Sequence, residues 1–197
     1  MKKFAMAGLA GIIGLFSAAA CAQNTNLRGT VTAFDGKMIS VKVRDGRDLK
    51  VDLPDNAPVN ITKPLKLSDL KLGQMVGVTT IKRPSDGATV AIDVRPIPAT
   101  ANQGLTPYDL QPGSTMTNAA LEGAVQAASR HELTLNYKTG TVKVLVPEGT
   151  PMSQSAPGER ADIKAGETIY IVARPESDGR LTAVRVQVSK DGVKPTQ

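Results

Sequence analysis

The 197-residue chain contains no tryptophan, one cysteine and one histidine, and only 3% of it is aromatic. Each shortage excludes something. The single cysteine, Cys21, lies near the N-terminus, so the body of the chain has neither a disulfide to brace it nor a thiolate to bind metal or attack a substrate. With one histidine, a Ser-His-Asp arrangement or an imidazole metal site would have to be built around His131 alone. After the N-terminal segment no apolar run reaches membrane-spanning length, and no glycine-rich loop has the spacing of a phosphate cradle.

The N-terminal segment has the three parts of an export signal. Lys2 and Lys3 supply the positive start, Phe4 to Phe16 the apolar stretch, and "SAAACAQ" the small residues a peptidase needs, so residues 1–21 read as a signal peptide. Two cleavage sites compete. Cleavage after Ala22 releases a soluble chain beginning at Gln23, whereas cleavage before Cys21 yields a lipoprotein anchored through that cysteine. Three small residues before the only cysteine favour lipidation of Cys21, while Ala18, where such signals usually carry Leu, speaks against it. If Cys21 is lipidated, Ala22 after it resembles sorting to an outer membrane. The expected location is the periplasm or the outer membrane of a Gram-negative bacterium, with the lipid on Cys21 as the membrane contact. Removing Lys2 and Lys3 takes the basic residues from 24 to 22 against 18 acids, so the formal charge falls from +6 to +4. Interleaved signs fit a solvated surface better than a polyanion-binding stripe.

What the chain does have is repetition. At an offset of 94, Leu27, Gly29, Val31 and Ala33 recur as Leu121, Gly123, Val125 and Ala127. At 93, Asp69, Lys71 and Gly73 recur as Asp162, Lys164 and Gly166, and at 92, Ser85, Asp86 and Gly87 recur as Ser177, Asp178 and Gly179. The chain is a tandem duplication. Each copy offers five β-runs, such as "MISVKVR" and "TVAIDVR" in the first and "ELTLNYK" and "LTAVRVQV" in the second. Between the third and fourth runs, "KLSDLKLG" and "ERADIKAG" each provide a helical turn that would plug one end of a barrel. Three strands, a turn and two strands outline an OB-like Greek-key barrel. The expected fold is all-β: two tandem five-stranded OB-like barrels at 27–97 and 121–189, a connector at 98–120 and a flexible tail at 190–197.

The pattern "RGTVTAFDGKMISVKVRDG", "LSDLKLGQMVGV" and "SDGATVAIDV" resembles a widespread bacterial family of exported OB-like domains of unknown function, often occurring in series. The resemblance covers both copies, and "PYDLQPGSTMTNA" is similar to the connector of two-copy members. It implies a fold and a location. It supplies no activity and no functional residues.

OB barrels that bind nucleic acid stack bases on aromatic rings. Here Phe34 aligns with Ala128, Tyr137 with Val43 and Tyr170 with Gly77, so no stacking platform repeats and no nucleic-acid partner is expected. Asp45, Asp48, Asp86 and Asp178 lie in Asp-Gly turns, the composition that hairpins need, without the alternate spacing of a calcium loop. Asp69 and Asp162 are expected to cap their local turns. His131 aligns with Lys37 in the turn between the first two strands. With Met116 or Met152 it resembles a soft-metal set that lacks a second histidine or a cysteine. No catalytic, cofactor-binding or metal residue is assigned, no cofactor is expected, and the chain does not read as an enzyme.

The connector is rich in Pro, Gly, Thr and Asn, yet it carries the apolar trio Leu105, Tyr108 and Leu110. These residues are expected to pack across the groove between the barrels, where a partner could also dock. The sequence therefore suggests a non-enzymatic envelope binding or structural module with an envelope protein or glycan as partner. The alternative is a periplasmic metal or small-ligand carrier using the connector, Met116 and His131.

Overall fold

The structure, a computed structural model, describes residues 23–127 and 130–195, so the segment read as a signal peptide, with Cys21, lies outside the described residues. Strands β1 (Thr25–Phe34), β2 (Met38–Val43) and β3 (Asp48–Asp52) form a meander. Strand β4 (Val59–Pro64) and a 3-10 turn (Leu67–Asp69) then lead to β5 (Met75–Lys82) and β6 (Thr89–Pro96). After the connector, which contributes β7 (Gly104–Pro107), the scheme repeats. Its strands are β8 (Thr115–Ala127), β9 (Arg130–Tyr137), β10 (Gly140–Leu145) and β11 (Ser153–Pro157), then a second 3-10 turn (Arg160–Asp162), β12 (Thr168–Pro175) and β13 (Leu181–Val188). Alternation selects the inward side of each strand: Ile39, Val41 and Val43 are buried on β2 while Lys42 between them is exposed.

The protein is all-β, and two five-stranded barrels close, as the patterning predicts. Their composition differs from the contiguous units 27–97 and 121–189. One barrel, A, is the ring β1–β2–β3–β13–β12, and the other, B, is the ring β8–β9–β10–β6–β5. Each copy keeps its first three strands and lends its last two to the other. The exchange costs no pairing, because duplicated strands present each other with equivalent edges and the link between the third and fourth strands is long enough to cross.

The plugs travel with the lent strands. Ile163, just after the second 3-10 turn, is buried in the core of barrel A, and Leu67 and Leu70 pack against the core of barrel B. Arg160 staples its turn to barrel A by donating to the carbonyls of Gly36 (2.9 Å), Leu53 (2.7 Å) and Pro54 (3.0 Å). Asp69 and Asp162 accept the backbone N–H of Lys66 (2.8 Å) and Glu159 (2.9 Å), the capping role read from sequence. Gly73 and Gly166 end the plugs at φ 79° and 92°, a conformation that a side chain would strain.

The two crossing segments run side by side. β4 pairs antiparallel with β11 from Asn60 opposite Pro157 to Pro64 opposite Ser153, with Thr62 opposite Ser155 at the centre. Thr62 and Ser155 are equivalent positions in the two copies, so a local two-fold axis passes between them.

Hydrogen bonding also revises the alignment of the first strands. Gly166 donates to Val31 (2.8 Å) and Val31 to Glu167 (2.9 Å), whereas Gly73 donates to Leu121 (2.7 Å) and Leu121 to Gln74 (2.9 Å). Val31 therefore corresponds to Leu121, 90 positions on, and not to Val125 at 94; the bulges after Val31 and after Leu121 agree. The four extra residues lengthen the β8–β9 hairpin. His131 accordingly lies within β9, opposite Gln126, and not in a turn. Four is an even number, so the slip leaves inward and outward faces unchanged and the sequence pattern is blind to it.

The tail is also more ordered than its polar composition suggests. Lys190 and Val193 close a turn, Lys190 Nζ reaches Asp162 at 2.7 Å, and Pro195 is buried.

The exchange predicts the behaviour of separated halves. Residues 23–97 and 98–197, produced as two chains, should purify together as a one-to-one complex with a single cooperative melt. A half that melts cooperatively as a lone monomer would contradict the exchanged pairing.

Candidate functional site

Several outward-facing side chains are buried although they point away from their own barrels, so something outside each barrel covers them. On barrel A these are Arg28 and Tyr170, and on barrel B they are Thr79, Asp93, Arg95 and Met116. They line the seam between the barrels. Arg28 stacks between two rings, its guanidinium carbon 5.2 Å from the centroid of Tyr170 and 5.4 Å from that of Tyr108. It donates to both oxygens of Asp109 (2.9 and 3.0 Å) and to the Tyr108 hydroxyl (3.1 Å). Arg95 approaches the same Tyr108 ring from barrel B at 5.8 Å. Tyr108 thus touches both barrels, and its connector lies across the seam.

Below Tyr108 is a buried ion pair. Asp93 is fully buried and Arg95 nearly so, and the two are hydrogen-bonded side by side on β6. Thr79 Oγ1 donates to Asp93 at 3.2 Å, and Arg95 Nη2 lies 3.5 Å from the Met116 sulfur. Burial pushes the Arg95 guanidinium below its ordinary pKa and the Tyr170 phenol above its own. Burial is the largest single influence on Arg28 and pulls its pKa down, but the hydrogen bonds and charges of Asp109 and Tyr108 together outweigh it and the net shift is upward. Asp109 is held below the usual carboxylate range by the same bond.

Beside the seam two hollows open to solvent, and because both linings include Arg44, Thr168, Lys194 and Pro195 they adjoin as two lobes of one recess. The first lobe, about 440 Å³, is walled by Arg28 and Thr30 of β1 and by Lys42 and Arg44 at the end of β2. The second, about 450 Å³, is walled by Ile92, Leu110, Met152 and Val193. Neither lining includes an acid, a histidine or a cysteine. Of the residues singled out in the connector, Tyr108 lies in the seam, Leu110 in the second lobe, and Leu105 on β7, 46% exposed.

Met116 and His131 do not converge. Gln126, the partner of His131, is ten residues along β8 from Met116, about 30 Å of strand at the usual rise. Among the described residues no group of three or more His, Cys, Asp or Glu side chains is placed to hold a metal ion. The turn acids are engaged locally: Asp45, Asp86 and Asp178 accept backbone N–H groups at 3.0, 3.1 and 3.0 Å, and each also accepts from an Arg beside it. Among the described residues no helix is long and apolar enough to cross a membrane.

No family model matches the chain, and no curated protein or solved structure shows significant similarity to it.

The sequence singled out Leu105, Tyr108 and Leu110 as contacts across the groove and did not point to Arg28, Arg44, Arg95 or Lys194. A signal was available in Arg28 and Arg95, each a cation next to an inward-facing apolar residue on a strand.

The buried pair gives a stability prediction. Arg95→Ala takes from the buried Asp93 carboxylate the guanidinium hydrogen-bonded to it on β6 and should cost about 3 kcal/mol in denaturant unfolding. Replacing both, Asp93→Val with Arg95→Met, should recover most of that loss. A single Arg95→Ala effect below about 1 kcal/mol would show that the pair does not hold the seam.

Proposed function

We propose that the protein is a non-enzymatic binding module of the bacterial cell envelope that holds an envelope component in the recess beside the seam. The observation that carries this reading is the chemistry of the lining. Guanidinium, ammonium, hydroxyl and apolar groups face the two lobes, a set suited to holding a ligand and lacking a base to activate one. The export signal and the resemblance to exported OB-like domains support the location, and the shared scaffold of two interlocked barrels supports a rigid wall for the recess.

The test uses the purified mature chain and cell-envelope extract. Wild type should retain a defined component that salt releases, and Lys42→Glu with Arg44→Glu should lose it. Retention that ignores the charge reversal, or consumption of the retained component, would overturn the reading.

Anchoring at Cys21 is part of the same proposal. Cys21→Ala should move the mature protein from the membrane fraction to the soluble fraction. A wild-type product already soluble and beginning at Gln23 would favour cleavage after Ala22.

A further inference from the structure

We infer that the recess takes one molecule of an anionic amphiphile, with its acidic head in the first lobe and its apolar chain in the second. The inference rests on the binding-module reading and names the ligand class. Charge is the first argument. Lys42, Arg44 and Lys194 line the first lobe together with Arg28, whose guanidinium is held in the seam, and no acid is among the lining residues. An adjoining pocket adds Arg47 with Asp45 and Asp109, so five cations stand against two carboxylates, an excess of three. Both carboxylates are already engaged: Asp45 by Arg47 at 2.6 Å and Asp109 by Arg28 at 2.9 Å. Lys42, Arg44 and Lys194 make no ion pair or side-chain hydrogen bond to any described residue, and all three are exposed. Three like charges thus stand around one opening, with the Asp109 carboxylate near Arg44 already bonded to Arg28, an arrangement that favours a bound anion.

The second argument is the change of character along the recess. Beyond Arg44 and Lys194, which border both lobes, the wall turns to Ile92, Leu110, Pro151, Met152 and Val193. The unbranched Met152 side chain adapts its shape to an apolar chain, and Leu110 and Ile92 add apolar surface beside it. A bare anion would leave this lobe empty, and a neutral apolar molecule would leave the cations unmatched. A head-and-chain molecule satisfies both. The buried Pro195 and the Lys190–Val193 turn fix the tail along the recess, so Lys194 is positioned and not merely nearby.

The experiment titrates the mature full-length chain with lysophosphatidylglycerol below its micelle concentration. In parallel it uses lysophosphatidylcholine of the same chain length, glycerol 3-phosphate, and phosphatidylcholine vesicles with and without phosphatidylglycerol. Saturable one-to-one binding of lysophosphatidylglycerol is expected, with the zwitterionic lipid and the chainless phosphate each roughly tenfold weaker or more. Arg44→Gln with Lys194→Gln should weaken lysophosphatidylglycerol by roughly tenfold, and Leu110→Ala with Met152→Ala should do the same. The first pair is exposed, so its fold is checked by an unchanged melt. Equal affinity for glycerol 3-phosphate would overturn the inference in favour of a bare anion site, and equal affinity for the zwitterionic lipid in favour of an apolar one. Binding to phosphatidylglycerol vesicles without binding of the monomer would overturn it in favour of adsorption to a membrane surface. If every lipid fails while envelope material is still retained through Lys42 and Arg44, the ligand class is wrong and the binding module stands.

Discussion

Neither barrel closes without two strands from the other copy. In barrel A, β1 is hydrogen-bonded to β12 over six residue pairs, from Thr25 opposite Ala173 to Thr30 opposite Thr168, and β3 meets β13. In barrel B the same positions are taken by β8 with β5 and by β10 with β6. The two cores are therefore not independent: Ile169, Ile171 and Val186 of the second copy fill the core begun by Val31, Ile39 and Val51 of the first. Two crossing segments, paired as β4 and β11, set the distance between the barrels. The seam and the recess are consequences of that spacing, and the connector lies over a junction already fixed.

This dependence explains what the sequence could and could not disclose. Alternation of apolar and polar residues marks the strands, because a barrel interior demands it of any partner. The plugs and the Asp-Gly turns are local, and local chemistry is legible: Asp69 and Asp162 cap as their spacing suggests. Which copy supplies the closing strands is not local. An edge from the first copy and its counterpart from the second offer the same donors and acceptors, so no side-chain pattern distinguishes the exchanged from the unexchanged ring.

The register of the first strands was hidden for a related reason. "LRGTVTA" and "LEGAVQA" match letter by letter at an offset of 94, yet the backbone bonds of Val31 and Leu121 set 90. Both offsets put the same residues inward, so burial cannot choose between them. Only the length of the β8–β9 hairpin differs, and that moves His131 from an expected turn onto an exposed strand position. The recess was illegible because it is assembled from β1, β2, β6, the connector and the tail, segments that no sequence window joins.

With the corrected register, the seam shows what duplication adds to an exchanged pair. A two-fold axis brings equivalent positions of two identical units toward each other, so a large or charged residue near the axis meets its own copy. Here the copies differ at those positions. Tyr170 corresponds to Gly77, Arg28 to Asn118, and Asp93 to Arg185, given that Val94 and Val186 are equivalent. A side chain at Gly77 would meet Ile97 and the Met116 sulfur at 3.0 and 3.5 Å, which marks that side of the seam as crowded, while the other copy places a tyrosine. Size has become complementary, and so has charge, with an acid on one barrel where the other carries a cation. Identical subunits cannot make that division, because any change would appear on both sides of the axis. Covalent fusion of the copies frees the two halves to differ, and the buried Arg95–Asp93 pair and the stacked Arg28 are features of that freedom. The recess shares this asymmetry: the tail that borders it beside Lys42 and Arg44 follows the second copy, whereas the equivalent stretch after the first copy is the connector.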